Sequence, residues 1–194
     1  MKNFFTILLT MSLLLVCSAN AEIGYSMPAL EVGFKLNTMD VDSATSNKQS
    51  QAFQAGGSIV FDLGSSDSRD FGIKTGLFYS ERTYKNEFSS TAFEGKISYA
   101  EIPLQIMFKF EDYAGIYFGP SFATKLSDEC TGTACTTSGV VKPSSSIMPL
   151  TFGAQFKMFP NLGLSLFFET ISSDISSNLK NSRAIGANLL LVFD

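Results

Sequence analysis

The chain contains no histidine and no tryptophan, and only three cysteines in 194 residues. Without histidine there is no Ser-His-Asp or Cys-His nucleophile and no imidazole-bound zinc. Barrel enzymes that modify lipid through a His-Ser pair are excluded on the same ground. Charge is sparse too. Asp, Glu, Lys and Arg make up 16% of the residues and the formal net charge is −4, mild and spread out, which argues against a nucleic-acid partner. Past residue 21 no apolar run approaches the roughly 20 residues of a membrane helix, so a helical membrane protein is excluded. No Gly-rich phosphate loop occurs, since Gly56-Gly57 falls inside an alternating segment. Asp40-Val41-Asp42-Ser43 opens like a calcium loop but lacks the central glycine and the closing glutamate. No catalytic residue, metal-ligand set or cofactor is therefore expected, and no motif supports a Ser-Lys hydrolase.

The chain opens with an export signal. Lys2 supplies the positive start, residues 4–16 the apolar core, and Ala19-Asn20-Ala21 a cleavage site, so residues 1–21 read as a signal peptide removed before Glu22. The apolar run is too short for a spanning anchor. Cys17 follows Val16 rather than the small residue expected of a lipoprotein. Cleavage removes one base and no acid, moving the formal charge to −5. Residues 22–194 then suit one domain.

The dominant signal in that domain is alternation with a period of two. In the clearest segment Ile102, Leu104, Ile106, Phe108 and Phe110 share one face, opposite Glu101, Gln105 and Lys109. Eight segments carry the pattern, at about 25–37, 52–63, 71–82, 102–110, 113–126, 147–158, 162–170 and 183–193. Short links at 64–70, 111–112 and 160–161 alternate with longer polar stretches at 38–50, 83–95, 128–142 and 172–181. Bacterial outer-membrane barrels combine short periplasmic turns with longer external loops. The expected fold is thus all-β: an eight-stranded antiparallel up-and-down transmembrane barrel. Its strands close on one another because lipid offers no partner to an unpaired peptide group.

The polar face carries the ionisable residues. Glu31, Asp62, Glu101 and Glu169 stand against Lys35, Lys74, Arg82, Lys109, Lys125 and Lys157. An eight-stranded interior is just wide enough for side chains to fill. These residues are expected to form a lumenal ion-pair network in a plugged barrel. Glycine recurs on the same face, at positions such as Gly33, Gly56, Gly115, Gly153 and Gly186, leaving room for large side chains across the lumen. Tyr25, Tyr79 and Tyr99 are expected in the aromatic girdles at the bilayer interfaces.

Cys130 and Cys135 flank a four-residue polar stretch in the longest expected loop, and an oxidising compartment should join them. The closed loop is small, so the expected stabilisation is about 2 kcal/mol. The expected partners are outer-membrane lipid and lipopolysaccharide, the barrel-insertion machinery during biogenesis, and an extracellular partner reached through the loops.

Tyr99-Ala100-Glu101-Ile102-Pro103-Leu104 resembles the Y-x-E-I-P-L signature of the PorT-like outer-membrane β-barrel family. The following Gly119-Pro120 and the later Phe152-Gly153-Ala154 and Leu162-Gly163-Leu164 fit its remaining strands. Met107 stands where that family often has lysine, and Phe193 is followed by Asp194 where such barrels commonly finish on an aromatic. In plan the chain also resembles small OmpA- and OmpX-type barrels. The resemblance implies a Gram-negative outer-membrane barrel and no common activity. The leading expectation is a non-enzymatic outer-membrane protein working through its external loops in adhesion, surface protection or partner contact. The alternatives are a secreted lipocalin-like carrier with the reverse polarity and a narrow pore or lumen-based lipid-processing enzyme.

Overall fold

The computed structural model describes residues 24–41, 46–63, 71–88, 91–110, 114–132, 143–171, 174–176 and 179–193. The expected signal peptide lies outside these residues. Eight long strands form the wall: β1 Gly24–Val41, β3 Ser50–Asp62, β4 Phe71–Phe88, β5 Thr91–Phe110, β6 Ala114–Thr131, β8 Leu150–Phe159, β9 Leu162–Ile171 and β10 Leu179–Val192. Two short pieces are added to it. β2, Ser46–Lys48, pairs with β4, and β7, Ser146–Ile147, pairs with β6.

Every pairing is antiparallel. Around the wall the order is β4-β3-β1-β10-β9-β8-β6-β5, and β5 pairs back onto β4. The sheet is therefore a closed eight-stranded barrel, as the alternation implied. Closure removes the unpaired edges that a flat sheet of such apolar strands would expose. Both described ends of the chain meet at the end that carries the short links. There Phe193 N–H donates to Pro28 O at 2.8 Å and Val192 N–H to Asn161 O at 3.0 Å.

The faces follow the sequence pattern. Leu30, Val32, Phe34 and Leu36 of β1 are exposed on the outside, while Glu31, Lys35 and Asn37 are buried inside. Phe108, Phe118 and Phe152 are each about half exposed on the outer surface. A hydrogen-bonded wall with this apolar exterior matches a lipid-facing barrel. It is the opposite of a soluble carrier, whose apolar surface would line the interior.

Glycine and aromatic residues face one another across neighbouring strands inside the barrel. Tyr117 is in register with Gly153, Phe167 with Gly186, Phe78 with Gly56, and Tyr84 with Gly95. A Cβ on Gly153 or Gly186 would collide with the ring of its partner. Each ring lies over the strand where the side chain is missing, so a narrow lumen accommodates four large aromatics.

Strand lengths are unequal. β8 and β9 have 10 residues each, about what a tilted strand needs to cross a bilayer. β4, β5 and β6 have 18, 20 and 18. The surplus lies at the long-link end. The stretch 83–95, expected as a loop, is instead mostly strand, because β4 continues to Phe88 and β5 starts at Thr91. Likewise β6 continues through Asp128 to Thr131. Beyond the apolar belt both faces of a strand can be polar. Here the outer Thr83 and Lys85 are polar and the inner Tyr84 is aromatic, so the apolar-outside pattern is lost although the backbone pairing continues.

Candidate functional site

The interior is the most ordered concentration of chemistry in the molecule, and it is layered. At the long-link end an apolar cluster includes Met39, Tyr84, Ile97, Tyr99, Ile175 and Leu179. Ile175 is held over the barrel mouth by its carbonyl, which accepts from Ser144 N–H at 2.6 Å. At the other end Val60, Met107, Tyr117 and Phe167 form a second cluster. Between them sit the charges.

The upper charged level is a tetrad. Arg82 Nη2 donates to Glu101 Oε2 and to Glu169 Oε2, at 3.0 Å each. Lys35 Nζ lies 3.5 Å from Glu169 Oε1 and donates to Ser80 Oγ at 2.9 Å. Ala52, small and buried, stands directly in register with Lys35. The Arg82 guanidinium also lies 5.1 Å from the centre of the Tyr99 ring.

The lower level centres on Glu31. Lys74 Nζ is 2.8 Å from its carboxylate, Ser58 Oγ donates to it at 2.5 Å, and Asn188 Nδ2 donates to it at 3.0 Å. Lys74 also donates to Gln155 Oε1 at 3.0 Å and sits 4.5 Å from the Tyr117 ring centre. Each ion of the two levels thus meets an opposite charge, and Glu31, Lys35 and Lys74 have further hydrogen-bond partners while Arg82 Nε has none, close to the condition under which ions survive in a low-dielectric interior. A cavity of about 40 Å³ separates the levels, lined by Glu31, Lys74, Glu101, Tyr117, Phe167 and Glu169 among others. It has room for about two or three waters.

The ten charged residues named from sequence do not form one cluster. Glu31 with Lys74, and Lys35 with Arg82, Glu101 and Glu169, occupy the centre. Asp62 and Lys109 pair at 2.6 Å at the short-link end. Lys157, further along that end, is only partly buried. Lys125 stands apart. It stands in register with the inward-facing Tyr99 but is only partly buried, and its partner is Asp128 at 2.8 Å on the same strand, not a lumenal acid.

Two further expectations change. Tyr99 is fully buried and belongs to no girdle: it shares the parity of Glu101 and points inward. Tyr79 does lie on the outer face, with its hydroxyl 2.8 Å from Ser98 Oγ. The side chain of Tyr25 lies outside the described residues. The sequence reading also passed over the apolar inward residues such as Ile97, Met107 and Leu179. Met107 has the inward parity of Glu101 within an expected strand, whereas Ile97 lies outside the eight expected strands and Leu179 within the expected loop 172–181.

Outside the mouth the chemistry is looser. Lys96 lies 3.6 Å from Glu81 and 3.7 Å from Glu129, and these two carboxylates raise the lysine above its ordinary range. Lys85 and Glu94 pair across the β4–β5 hairpin at 3.4 Å. A groove of about 430 Å³ runs beside these residues. Asp40 is occupied on both oxygens, by Asn47 and Asn181 at 3.1 Å each. Among the described residues no group of acids, cysteines or histidines could hold a metal ion. Cys130 is disulfide-bonded, and Cys135 lies outside the described residues.

No family model and no curated protein matches the chain. Solved structures do. Neisserial surface protein A is 14% identical, with a TM-score of 0.52 over 88% of this chain and 99% of that one. Ail, the attachment invasion locus protein of Yersinia pestis, solved with the heparin analogue sucrose octasulfate, is 15% identical, with a TM-score of 0.46 over 86% and 99%. OprG of Pseudomonas aeruginosa is 7% identical, with a TM-score of 0.39 over 89% and 96%. The likeness to the neisserial protein establishes the fold as that of a small eight-stranded outer-membrane-type barrel.

Proposed function

We propose that this chain is an integral outer-membrane protein without enzymatic activity, exported by a signal peptide cleaved after Ala21. In this reading its lumen is plugged and it acts through the part that rises above the outer leaflet. The observation that carries the proposal is the double change along β4, β5 and β6. Their lipid-length portion is apolar outside and charged inside. Their remaining eight or so residues, about 25 Å of strand, stay paired while the outer positions become polar, as at Thr83, Lys85, Glu94 and Lys96. The short-link end then faces the periplasm and the long-link end the exterior.

The plugged lumen is supported by the two apolar clusters and by charge balance. Four buried or nearly buried acids (Glu31, Asp62, Glu101, Glu169) face four bases (Lys35, Lys74, Arg82, Lys109). A lumen so matched offers a passing ion neither a wet path nor a net attraction. The rigid extension suits contact with an external partner, and the Cys130–Cys135 bridge would pin the adjoining loop. The likeness of β5 and β6 to PorT-like strands agrees with this placement.

Single cysteines introduced at Lys85, Lys96 and Lys157 on a Cys130→Ser, Cys135→Ser background provide the test. An impermeant thiol reagent applied to intact cells should label the first two positions and spare the third. Labelling of position 157 with sparing of 85 and 96 would invert the topology. Release of the native chain by osmotic shock without detergent would remove it from the membrane altogether. Planar-bilayer recordings should show no steady conductance, and a steady channel would end the plugged-lumen reading.

A further inference from the structure

On β1, β10 and β9 the outer surface is apolar up to one row and changes at the next. Leu36, Ile185 and Phe168 lie side by side on β1, β10 and β9, and are 46%, 66% and 42% exposed. The next row toward the long-link end is Thr38, Arg183 and Thr170, in register across the same strands. Arg183 is exposed, and among the described residues no hydrogen bond or ion pair engages it. Asp40, two residues beyond Thr38 on β1, already accepts on both oxygens from Asn47 and Asn181. Elsewhere at this end the lysines of the hairpin and of β6 are matched, Lys85 with Glu94, Lys96 with Glu81 and Glu129, and Lys125 with Asp128. Arg183 therefore has a charge to spare directly above hydrocarbon-facing side chains.

We propose that this row binds the phosphate of an outer-leaflet lipid, its acyl chain lying along Leu36, Ile185 and Phe168. A guanidinium presents a planar fork that matches a phosphate bidentately. The two threonine hydroxyls flank it one strand spacing away on either side, about 4.8 Å. Headgroup phosphates of the outer leaflet lie at the level where the apolar surface stops. A free phosphate ion would use the fork but gain nothing from the apolar row, so the site takes a phosphorylated lipid in preference to the ion. The inference rests on the membrane orientation proposed above.

The test uses the purified barrel refolded into phosphatidylcholine nanodiscs with and without diphosphorylated lipid A, and native mass spectrometry to count retained lipid. The wild type should retain one lipid A, and Arg183→Gln should weaken retention about tenfold. Arg183→Lys should fall between them, because a point charge replaces the fork. Lipid A stripped of its phosphates should bind the wild type no better than it binds Arg183→Gln. Inorganic phosphate at millimolar concentration should fail to displace the lipid. Equal retention by wild type and Arg183→Gln, or full displacement by inorganic phosphate, would overturn the assignment. Heat-modifiable migration of each variant is recorded in parallel. If all variants migrate as folded barrels and bind alike, the lipid site fails while the membrane reading stands. If even the wild type fails to enter bilayers, both fall together.

Discussion

Two ion-paired regions of this molecule use the same residue types to different effect. In the barrel centre, Arg82 bridges Glu101 and Glu169 at 3.0 Å with its side chain fully removed from solvent. On the outer hairpin, Lys96 lies between Glu81 and Glu129 at 3.6 and 3.7 Å, and Glu129 is 70% exposed. Water competes for the second set and not for the first. The central charges are obligate partners, because removing one leaves another buried and uncompensated. The outer charges are interchangeable, because solvent replaces any that is lost. The difference shows which charges hold the barrel together and which only keep its exposed strands soluble.

The largest test of that contrast is Arg82→Met. It strands Glu101 and Glu169 in the lumen and should cost about 3–5 kcal/mol of stability. Urea unfolding in lipid vesicles, followed by heat-modifiable migration, measures it; a cost below about 1 kcal/mol would break the contrast. Lys74→Met should also destabilise strongly by leaving Glu31 anionic. Adding Glu31→Gln should recover most of that loss, because glutamine keeps partners in Ser58 and Asn188 without a charge. The double-mutant cycle reads the coupling directly, and additive losses would mean that the pair is not the unit supposed here.

Next in size is Gly153→Val, which drives a side chain into the Tyr117 ring. It should cost about 1–3 kcal/mol while leaving both ion clusters intact, separating shape from charge within the same lumen. The smallest expected effect is that of Lys96→Ala, which should leave the unfolding midpoint unchanged within error at any salt concentration. A clear shift would give the outer hairpin a structural role it is not assigned here.

Much of this was legible in the amino-acid order, and the parts that were not share a cause. The faces of Glu31, Lys35, Lys74, Phe108 and Phe118 follow from parity alone, because lipid imposes one polarity and the lumen the other. The hairpin arms of β4 and β5 carry no such pattern in the sequence. Their outer positions Thr83, Lys85, Glu94 and Lys96 are polar while Tyr84 lies inside, so the apolar-outside pattern is lost although the backbone hydrogen bonds continue through Phe88 and Thr91. Tyr99 was assigned to a girdle on residue type when its parity with Glu101 already put it inside. Lys125 has the correct parity, yet its long side chain reaches Asp128 on its own strand instead of the central acids. Strand pattern gives direction but not altitude.

The sequence by itself determined the barrel class, the number of strands and the inward or outward sense of nearly every side chain, because these depend only on a two-residue repeat placed between two solvents. The three-dimensional closure decided which charges meet, since Arg82, Glu101 and Glu169 lie on strands up to 87 residues apart and are brought together only by register and stagger. It also decided where the wall stops being membrane, because the height of each residue depends on how unequal strands are aligned when the sheet shuts on itself.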